Sequence, residues 1–289
     1  MKAKKKNEEP MTMEVSKGTG AVMTAVLSVA AIAFVVPILL VLMNSFKNKL
    51  YISDAPFAFP TAETFAGLGN YINGIGRTGL ITAAGRSAFI TVFSVIAIVL
   101  LTSMTAWWIT RVHSKISGVL YYLFVFAMIV PFQMVMFTLS KVTDMLGLGN
   151  MFGIIFVYVG FGAGLSVFMF AGFIKAIPIS LEEAAMLDGC SPIQTFFKVI
   201  VPILRPTMIT VAILNAMWVW NDYLLPTLVL DSDAPTIPMA VQYLRGGYGS
   251  IDMGAMMAML VLAIVPIIVF YLSCQKYIIK GVAAGAVKG

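Results

Sequence analysis

Six long apolar runs decide what this sequence of 289 residues can fold into. A helix needs roughly 20 apolar residues to cross the ~30 Å hydrocarbon core of a bilayer. Six windows reach that length: 21–43, 88–110, 116–139, 151–174, 208–230 and 253–274. Their hydrophobicity is continuous and does not alternate as it does in the strands of a membrane barrel. The sequence therefore predicts an all-α membrane protein with six transmembrane helices.

The composition agrees with this fold class and excludes several functions. Only 11% of the residues are charged, against about 25% in soluble proteins. The net charge of +6 does not indicate a nucleic-acid partner, because the Lys and Arg residues lie at the ends of the apolar runs. Cys190 and Cys274 are far apart and have no CxxC neighbour, and most methionines lie in the apolar windows, where Met fills gaps. No metal site is predicted.

The positive charges set the orientation, because cytoplasmic loops are enriched in Lys and Arg. With six spans, both termini lie on one side, and that side carries 13 of the 19 basic residues. The other side carries six: Lys47, Lys49, Arg77, Arg86, Lys141 and Arg245. We therefore expect cytoplasmic tails at 1–20 and 276–289, a six-helix domain at 21–275, and a long outer loop at 44–87.

A polar cytoplasmic segment at 178–206 interrupts the apolar pattern between the fourth and fifth spans. Ser180 with Glu183 three residues later has the pattern of a capping box, which satisfies the free N–H groups at a helix start. Gly189 suits the position just past the end of that helix. The pattern predicts a short helix between these points.

A second helix start follows at once. Ser191 and Gln194 repeat the capping box, with Pro192 at the first helical position. Pro202 and Pro206 are expected to limit continuation, because proline removes a helical hydrogen bond. The sequence therefore predicts two short helices that meet at an angle near residues 189–191.

Helices this short are marginal alone, because nucleation is costly, so they need a surface on which to dock. The second helix has an apolar face of Ile193, Phe196, Phe197 and Ile200. Two interpretations are open. The segment is a lid that packs on the protein's own spans, or it is a plug for a cytoplasmic partner.

The segment resembles the EAA loop of ABC-importer permeases. That pattern is E-A-A, three residues, G, nine residues and I-x-L-P, and this chain has Glu183-Ala184-Ala185, Gly189 and then Val-Ile-Val before Pro202. Asn70-Tyr71, residues 236–238 and the tail from residue 280 resemble the carbohydrate-uptake branch, in particular the second permease of maltose-type importers. The likeness covers most of the chain beyond the first loop.

The resemblance implies a set of partners and contacts. It implies a second, different permease, two ATPase subunits that bind ATP and Mg²⁺, and an extracellular solute-binding protein, in a bacterial plasma (inner) membrane. This chain would bind no cofactor directly and would not be an enzyme, in accord with its lack of a GxxxxGK[ST] loop. The implied ATPase-coupling residues are Glu183, Ala184, Ala185, Gly189, Phe196, Phe197 and Pro202, and the implied C-terminal contacts are Gly281, Gly285 and Lys288. Glu183 would pair with a basic group of the ATPase.

The fifth window contains a candidate translocation path of Trp218, Trp220, Asn221, Asp222 and Tyr223. An ionisable residue within a span is costly in lipid and is a functional hypothesis by default. The aromatic rings can stack on sugar rings, but aromatics near the outer end of a span also form interfacial belts. Both interpretations stay open.

The third window contains Pro131, which is expected to kink it. Gln133 beside it is either a polar group that faces the pore or a residue packed at the kink. The absence of Arg from the windows favours an oligosaccharide over glycerol phosphate as the substrate.

Two other functions compete with the importer permease. An ion-coupled secondary transporter or half-transporter usually has charged or broken helices at the midplane, and here only Asp222 is charged within a window. A membrane anchor that recruits a cytoplasmic complex explains the docking helices but not the polar residues of the fifth window.

Overall fold

The computed structural model describes residues 16–231, 233–242, 244 and 251–286, and this part of the chain is almost entirely helical. The helices are α1 (Lys17–Asn44), α2 (Lys49–Asp54), α3 (Gly69–Thr78), α4 (Leu80–Arg111), α5 (Lys115–Ile129), α6 (Phe132–Met145), α7 (Gly153–Ile174), α8 (Ser180–Leu187), α9 (Pro192–Thr195), α10 (Val201–Asn221), α11 (Leu224–Val229), α12 (Ile237–Gln242) and α13 (Met253–Ala286). A π-helical turn, Phe196–Ile200, joins α9 to α10.

Within the described residues, five helical stretches are long and apolar enough to cross a membrane: α1, α4, α7, Pro192–Asn221 and Met253–Tyr277. Helices α5 and α6 meet the same criteria together, with a bend of 107° at their junction, so the count is six when this bent pair is taken as one span. The all-α fold class is confirmed, and so is the kink at Pro131. A single helix over 116–139 is wrong, because Pro131 has no N–H to donate and forces Val130 into an extended conformation (φ −69°, ψ 118°).

The predicted loop at 44–87 contains more helix than expected. It contains α2 and α3, and α4 begins at Leu80, eight residues before the predicted span. Gly79 separates α3 from α4 with φ +57°, a left-handed conformation that glycine adopts without steric cost. The predicted loop of 44–87 therefore ends at residue 79.

Asn70 fastens this outer region to the end of α1. Its Nδ2 donates to the carbonyl oxygens of Ser45 at 2.8 Å and Lys47 at 2.7 Å. The neighbouring Tyr71 hydroxyl lies 2.6 Å from Ser45 Oγ. The Asn-Tyr pair thus has a structural role at the C-terminal end of α1.

The prediction that Pro202 and Pro206 limit the second cytoplasmic helix is wrong. The helical path runs from Pro192 without a break to Asn221. In the π-helical turn the N–H of Val201 donates to Phe196 O, five residues back. Pro202 directly follows this turn, in the first turn of α10, and its missing N–H removes one helical hydrogen bond without ending the helix. Pro206 removes only one internal bond.

The spans α4, α7 and α10 pack closely around Gly162. A Cβ added there would lie 2.7 Å from Ile98 Cδ1 and 2.9 Å from Asn215 Oδ1, so only glycine fits without a shift. Asn215 Nδ2 donates to Ser166 Oγ at 3.2 Å, which links α10 to α7. Close approach and an interhelical hydrogen bond are the usual means by which helices associate in lipid.

Candidate functional site

Helix α8 begins without the capping box that the sequence predicts. Ile179 is the residue before the helix, and Ser180 makes no capping bond in the structure. The N–H groups of Glu182 and Glu183 donate instead to the carbonyl oxygen of Ile179, at 2.9 and 3.1 Å. Because the preceding turn already satisfies these donors, the Ser180 hydroxyl is not needed, and this prediction is wrong.

The end of α8 agrees with the sequence. Gly189 has φ +86°, and its N–H donates to Met186 O while the N–H of Cys190 donates to Ala185 O, both at 3.0 Å. These two bonds are the Schellman pattern, which satisfies the last carbonyl groups of a helix. Gly189 therefore forms the bend after α8.

The second capping box is confirmed. Ser191 Oγ accepts from the N–H of Gln194 at 3.3 Å, and Gln194 Oε1 accepts from the N–H of Ser191 at 2.9 Å. Pro192 occupies the first turn of α9. With one end of the bend fixed by Gly189 and the other by this box, we expect a stiff connection between α8 and α9.

The two glutamates of α8 differ in burial, although both line one cavity beside the end of α4. Glu183 is exposed, whereas Glu182 is only 3% exposed and lies against the C-terminal end of α4. Arg111 reaches Glu182 Oε1 through Nε and Nη2, each at 2.7 Å. Trp107 Nε1 donates to Glu182 Oε2 at 2.9 Å. Sequence reasoning missed Glu182, although a pair of adjacent glutamates on a helix must point in different directions.

The other residues of the segment divide in the same way. Ala185 is buried with Glu182, and Ala184 is exposed with Glu183. Phe196 is 1% exposed and its ring centroid lies 5.4 Å from that of Trp107, whereas Phe197 is 47% exposed. Phe196 therefore packs on the protein's own spans, as the lid interpretation predicts. The opposite face of the segment is uncovered. Pro202 is exposed at the start of α10.

The segment exposes several large apolar side chains, which we call together the apolar patch. It consists of six exposed large side chains: Ile179, Leu181, Met186, Leu187, Ile193 and Phe197. Leu187 is 90% exposed. A cavity of about 340 Å³ lies beside the patch, with Trp108, Met186 and Pro192 in its lining and Glu183 among its few charged residues. Exposed apolar surface at a polar end of a membrane protein marks an interaction site.

Asp222 breaks the fifth span. It is extended (φ −73°, ψ 127°) between α10 and α11, so a single helix over 208–230 is wrong. Asp222 Oδ1 accepts from the N–H groups of Leu224 at 3.0 Å and Leu225 at 3.4 Å, which caps α11. Asp222 Oδ2 accepts from the Tyr158 hydroxyl at 3.1 Å. Aspartate favours such a break because its side chain competes for backbone donors.

The aromatic residues of the candidate path lie on different sides of α10. Trp218 packs edge-on against Tyr158 at 5.4 Å, beside Asp222. Trp220 instead lines an apolar cavity of about 400 Å³ between α4, α10 and α13. Asn221 is exposed and donates to Met217 O of its own helix at 2.7 Å, and Tyr223 is also exposed. The structure thus groups Trp218 with Asp222 and separates Trp220 from them.

The predicted tail contacts lie at the end of the chain. The backbone of Gly281 and Gly285 continues α13. Lys288 lies outside the described residues, as do residues 1–15 of the N-terminal tail.

Comparison with known proteins gives consistent matches along the chain. A family model described as "binding-protein-dependent transport system inner membrane component" matches residues 98–284, well over half of the sequence. A probable starch degradation products transport system permease protein of Thermoanaerobacterium thermosulfurigenes is 38% identical over 261 residues, covering 90% of this chain and 94% of the relative. A multiple sugar-binding transport system permease protein of Streptococcus mutans is 36% identical over 271 residues, covering 91% and 95%.

A further relative and a solved structure also match most of the chain. A melibiose/raffinose/stachyose import permease protein of Bacillus subtilis is 29% identical, covering 93% of this chain and 96% of the relative. Among solved structures, a chain of a bacterial ABC transporter that imports the acidic polysaccharide alginate superposes with a TM-score of 0.73 at 22% identity, covering 93% of this chain and 99% of that chain. This likeness establishes a shared fold.

Proposed function

Because this chain belongs to the family of binding-protein-dependent transport system inner membrane components, we propose that it imports a carbohydrate as one permease subunit of an ATP-driven complex. The observation that carries the proposal is the two-faced helix α8. One face is bonded to α4 through Glu182, and the other exposes the apolar patch and Glu183. Such an element is suited to receive a partner and to pass its movement to the spans.

The partner that we propose for the patch is an ATPase subunit in the cytoplasm. The excess of Lys and Arg supports a cytoplasmic location for α8 and for both termini, in a bacterial plasma membrane. A cleft with apolar walls would cover the patch, and a basic group in that cleft would pair with Glu183. The fixed bend at Gly189 and Ser191 would present Ala184 and Phe197 in one orientation.

Further subunits follow from the same proposal. Two ATPase copies would bind ATP and Mg²⁺, and this chain would bind neither. A second permease would cover part of the apolar surface of α1, whose most apolar window has no buried residue. A solute-binding protein would deliver the substrate at the outer side. The C-terminal residues Gly281, Gly285 and Lys288 would touch the ATPase dimer.

The proposed substrate is an oligosaccharide. The names of the relatives refer to starch degradation products, multiple sugars and melibiose, raffinose and stachyose. In this chain, Trp218 and Tyr223 are partly exposed aromatics next to Asp222, an arrangement that suits stacking and hydrogen bonding to a sugar. Trp220 and Asn221, which the sequence also assigned to the path, lie on other sides of α10.

Family membership favours this function over the two alternatives. The broken helices at Pro131 and Asp222 would also suit a secondary transporter, but the matched family model and the sugar permeases among the relatives favour the importer. A simple anchor would need no polar break in a span.

Co-purification and uptake test the proposal. The tagged chain is expected to purify with a second permease and two ATPase copies. Uptake of raffinose or a maltooligosaccharide into vesicles should then require ATP and the binding protein. A lone chain that sustains uptake from an ion gradient would contradict the proposal.

A further inference from the structure

Helix α4 and helix α8 meet at one buried carboxylate, and we propose that this contact transmits the movement of α8 to the outer side of the membrane through α4. We call Trp107, Arg111 and Glu182 the α4–α8 clamp. The inference rests on the proposed function, since it requires a partner that moves α8. It assigns Trp107 and Arg111 as positioning residues for transport.

The clamp holds α8 in a defined orientation. Trp107 and Arg111 are one helical turn apart on the same face of α4, and they bond to different oxygens of Glu182. Arg111 Nη2 also donates to Ile177 O at 2.9 Å, in the turn that leads into α8. Three directed contacts thus fix both α8 and its approach to the end of one span.

The ion pair between Arg111 and Glu182 matters for the geometry of the clamp more than for the stability of the fold. The Arg111 and Glu182 side chains are only 16% and 5% exposed, so solvent screens them little. A buried ion pair often adds no net stability over apolar residues of the same volume, because desolvation costs so much. Apolar contacts can slide, whereas charge-assisted hydrogen bonds fix distance and direction. We infer that this pair is present for geometry.

Helix α4 is built to carry a displacement. It is 32 residues long, about 48 Å at 1.5 Å per residue, and contains no proline. The spans formed by α5 with α6 and by α10 with α11 are both broken. At its outer end, buried Ser87 Oγ accepts from the N–H of Ile237 at 2.9 Å. This bond ties α4 to α12 and gives residues 236–238 a role in the outer segment.

The test uses the complete complex in lipid vesicles. In the double variant Arg111→Met with Glu182→Met, packing volume is kept and no buried charge is left unpaired, so the fold should survive. The quantity measured is sugar taken up per ATP hydrolysed, with the binding protein present. We expect this ratio to fall on the order of tenfold, the size of effect seen when one link of a coupling network is removed. Thermal unfolding should stay close to that of the wild type.

Two further variants sharpen the result. Trp107→Phe keeps the ring against Phe196 and removes only the indole donor, so it should lower the ratio in the same direction by a smaller factor. Lys115→Met is the control, because Lys115 is exposed and makes no ion pair in the part of the chain that the structure describes. A double variant that folds and keeps the wild-type ratio would overturn the clamp. Failure of the wild-type chain to bind an ATPase would instead overturn the proposed function. That binding is measured before any variant is made, so the two failures are distinguishable.

Discussion

Glu182 and Glu183 are neighbours in the sequence and line the same cavity, but Glu182 is buried and Glu183 is exposed. Glu182 is buried against Trp107 and Arg111, and Glu183 is exposed beside the apolar patch. Glu182 attaches α8 to α4, and Glu183 remains accessible to a partner. This difference allows the two roles to be tested with the same substitution at adjacent positions.

Glu183→Ala should leave the chain stable but weaken its function. The carboxylate is exposed, and surface substitutions usually change the free energy of unfolding by less than about 0.5 kcal/mol. Glu182→Ala should instead destabilise the chain by about 3 kcal/mol, because it leaves Arg111 buried without its partner. Thermal unfolding of the purified chain measures the stability of both variants. ATPase co-purification and uptake measure the loss of function in Glu183→Ala. Equal stability losses would be inconsistent with the two environments.

Gly189→Val should impair uptake through backbone conformation alone. A Cβ at this position would meet no atom within 4 Å, but φ is +86°, and a left-handed conformation costs an L-residue about 1–2 kcal/mol. The chain should reach the membrane with a changed angle between α8 and α9. Gly189→Asn is the matched control, because asparagine tolerates positive φ. Uptake assays should rank Gly above Asn and Asn above Val, and normal uptake by the Val variant would count against a fixed bend.

Gly162→Ala should loosen the contact between α4, α7 and α10. Its Cβ would lie 2.7 Å from Ile98 Cδ1, and overpacking of this kind typically costs about 1–3 kcal/mol. Gly160→Ala, two residues earlier on α7, meets nothing within 4 Å and should be neutral. Ile98→Val removes Cδ1 and should restore part of the stability in the double variant. Thermal unfolding in detergent distinguishes these variants, and an equally stable Gly162→Ala chain would show that the helices are farther apart.

Asn215→Leu should destabilise the bundle, whereas Asn221→Leu should not. Both amides donate to a carbonyl one turn earlier in α10, but only Asn215 also reaches Ser166 on α7. Interhelical hydrogen bonds in membranes average about 0.6 kcal/mol, with a maximum near 1.7 kcal/mol. Unfolding midpoints of the two variants measured side by side test this difference. If Asn221→Leu proves the more harmful, the cross-helix bond is not what Asn215 contributes.

The sequence predicted features that depend on length or on neighbouring residues. The apolar windows were long enough to locate the spans, and the Ser191–Gln194 box and the Gly189 bend follow from contacts within a few residues. The Ser180 box failed because backbone carbonyls from the preceding turn had already satisfied the same donors. The path through Pro202 was missed because the π-helical turn that accommodates it has no simple sequence pattern.

The buried role of Glu182 could not be predicted from local pattern. It depends on where the end of α4 lies, 71 residues earlier in the chain. The same holds for Asp222, since its bond to Tyr158 joins residues on two different spans. The sequence therefore located the coupling segment at 178–206, but it did not show which of its side chains are buried.

Cross-linking from Cys190 tests the central claim most directly. With Cys274 replaced by Ser, Cys190 is the only thiol in the chain, and it lies between Gly189 and Ser191 at the bend. A thiol-specific photo-crosslinker attached there in inside-out vesicles should capture an ATPase subunit, while the same reagent on Leu68→Cys at the outer side, in a chain also lacking Cys190, should capture none. Labelling of Cys190 only from the outer face, or repeated failure to capture any nucleotide-hydrolysing protein, would contradict a cytoplasmic coupling segment.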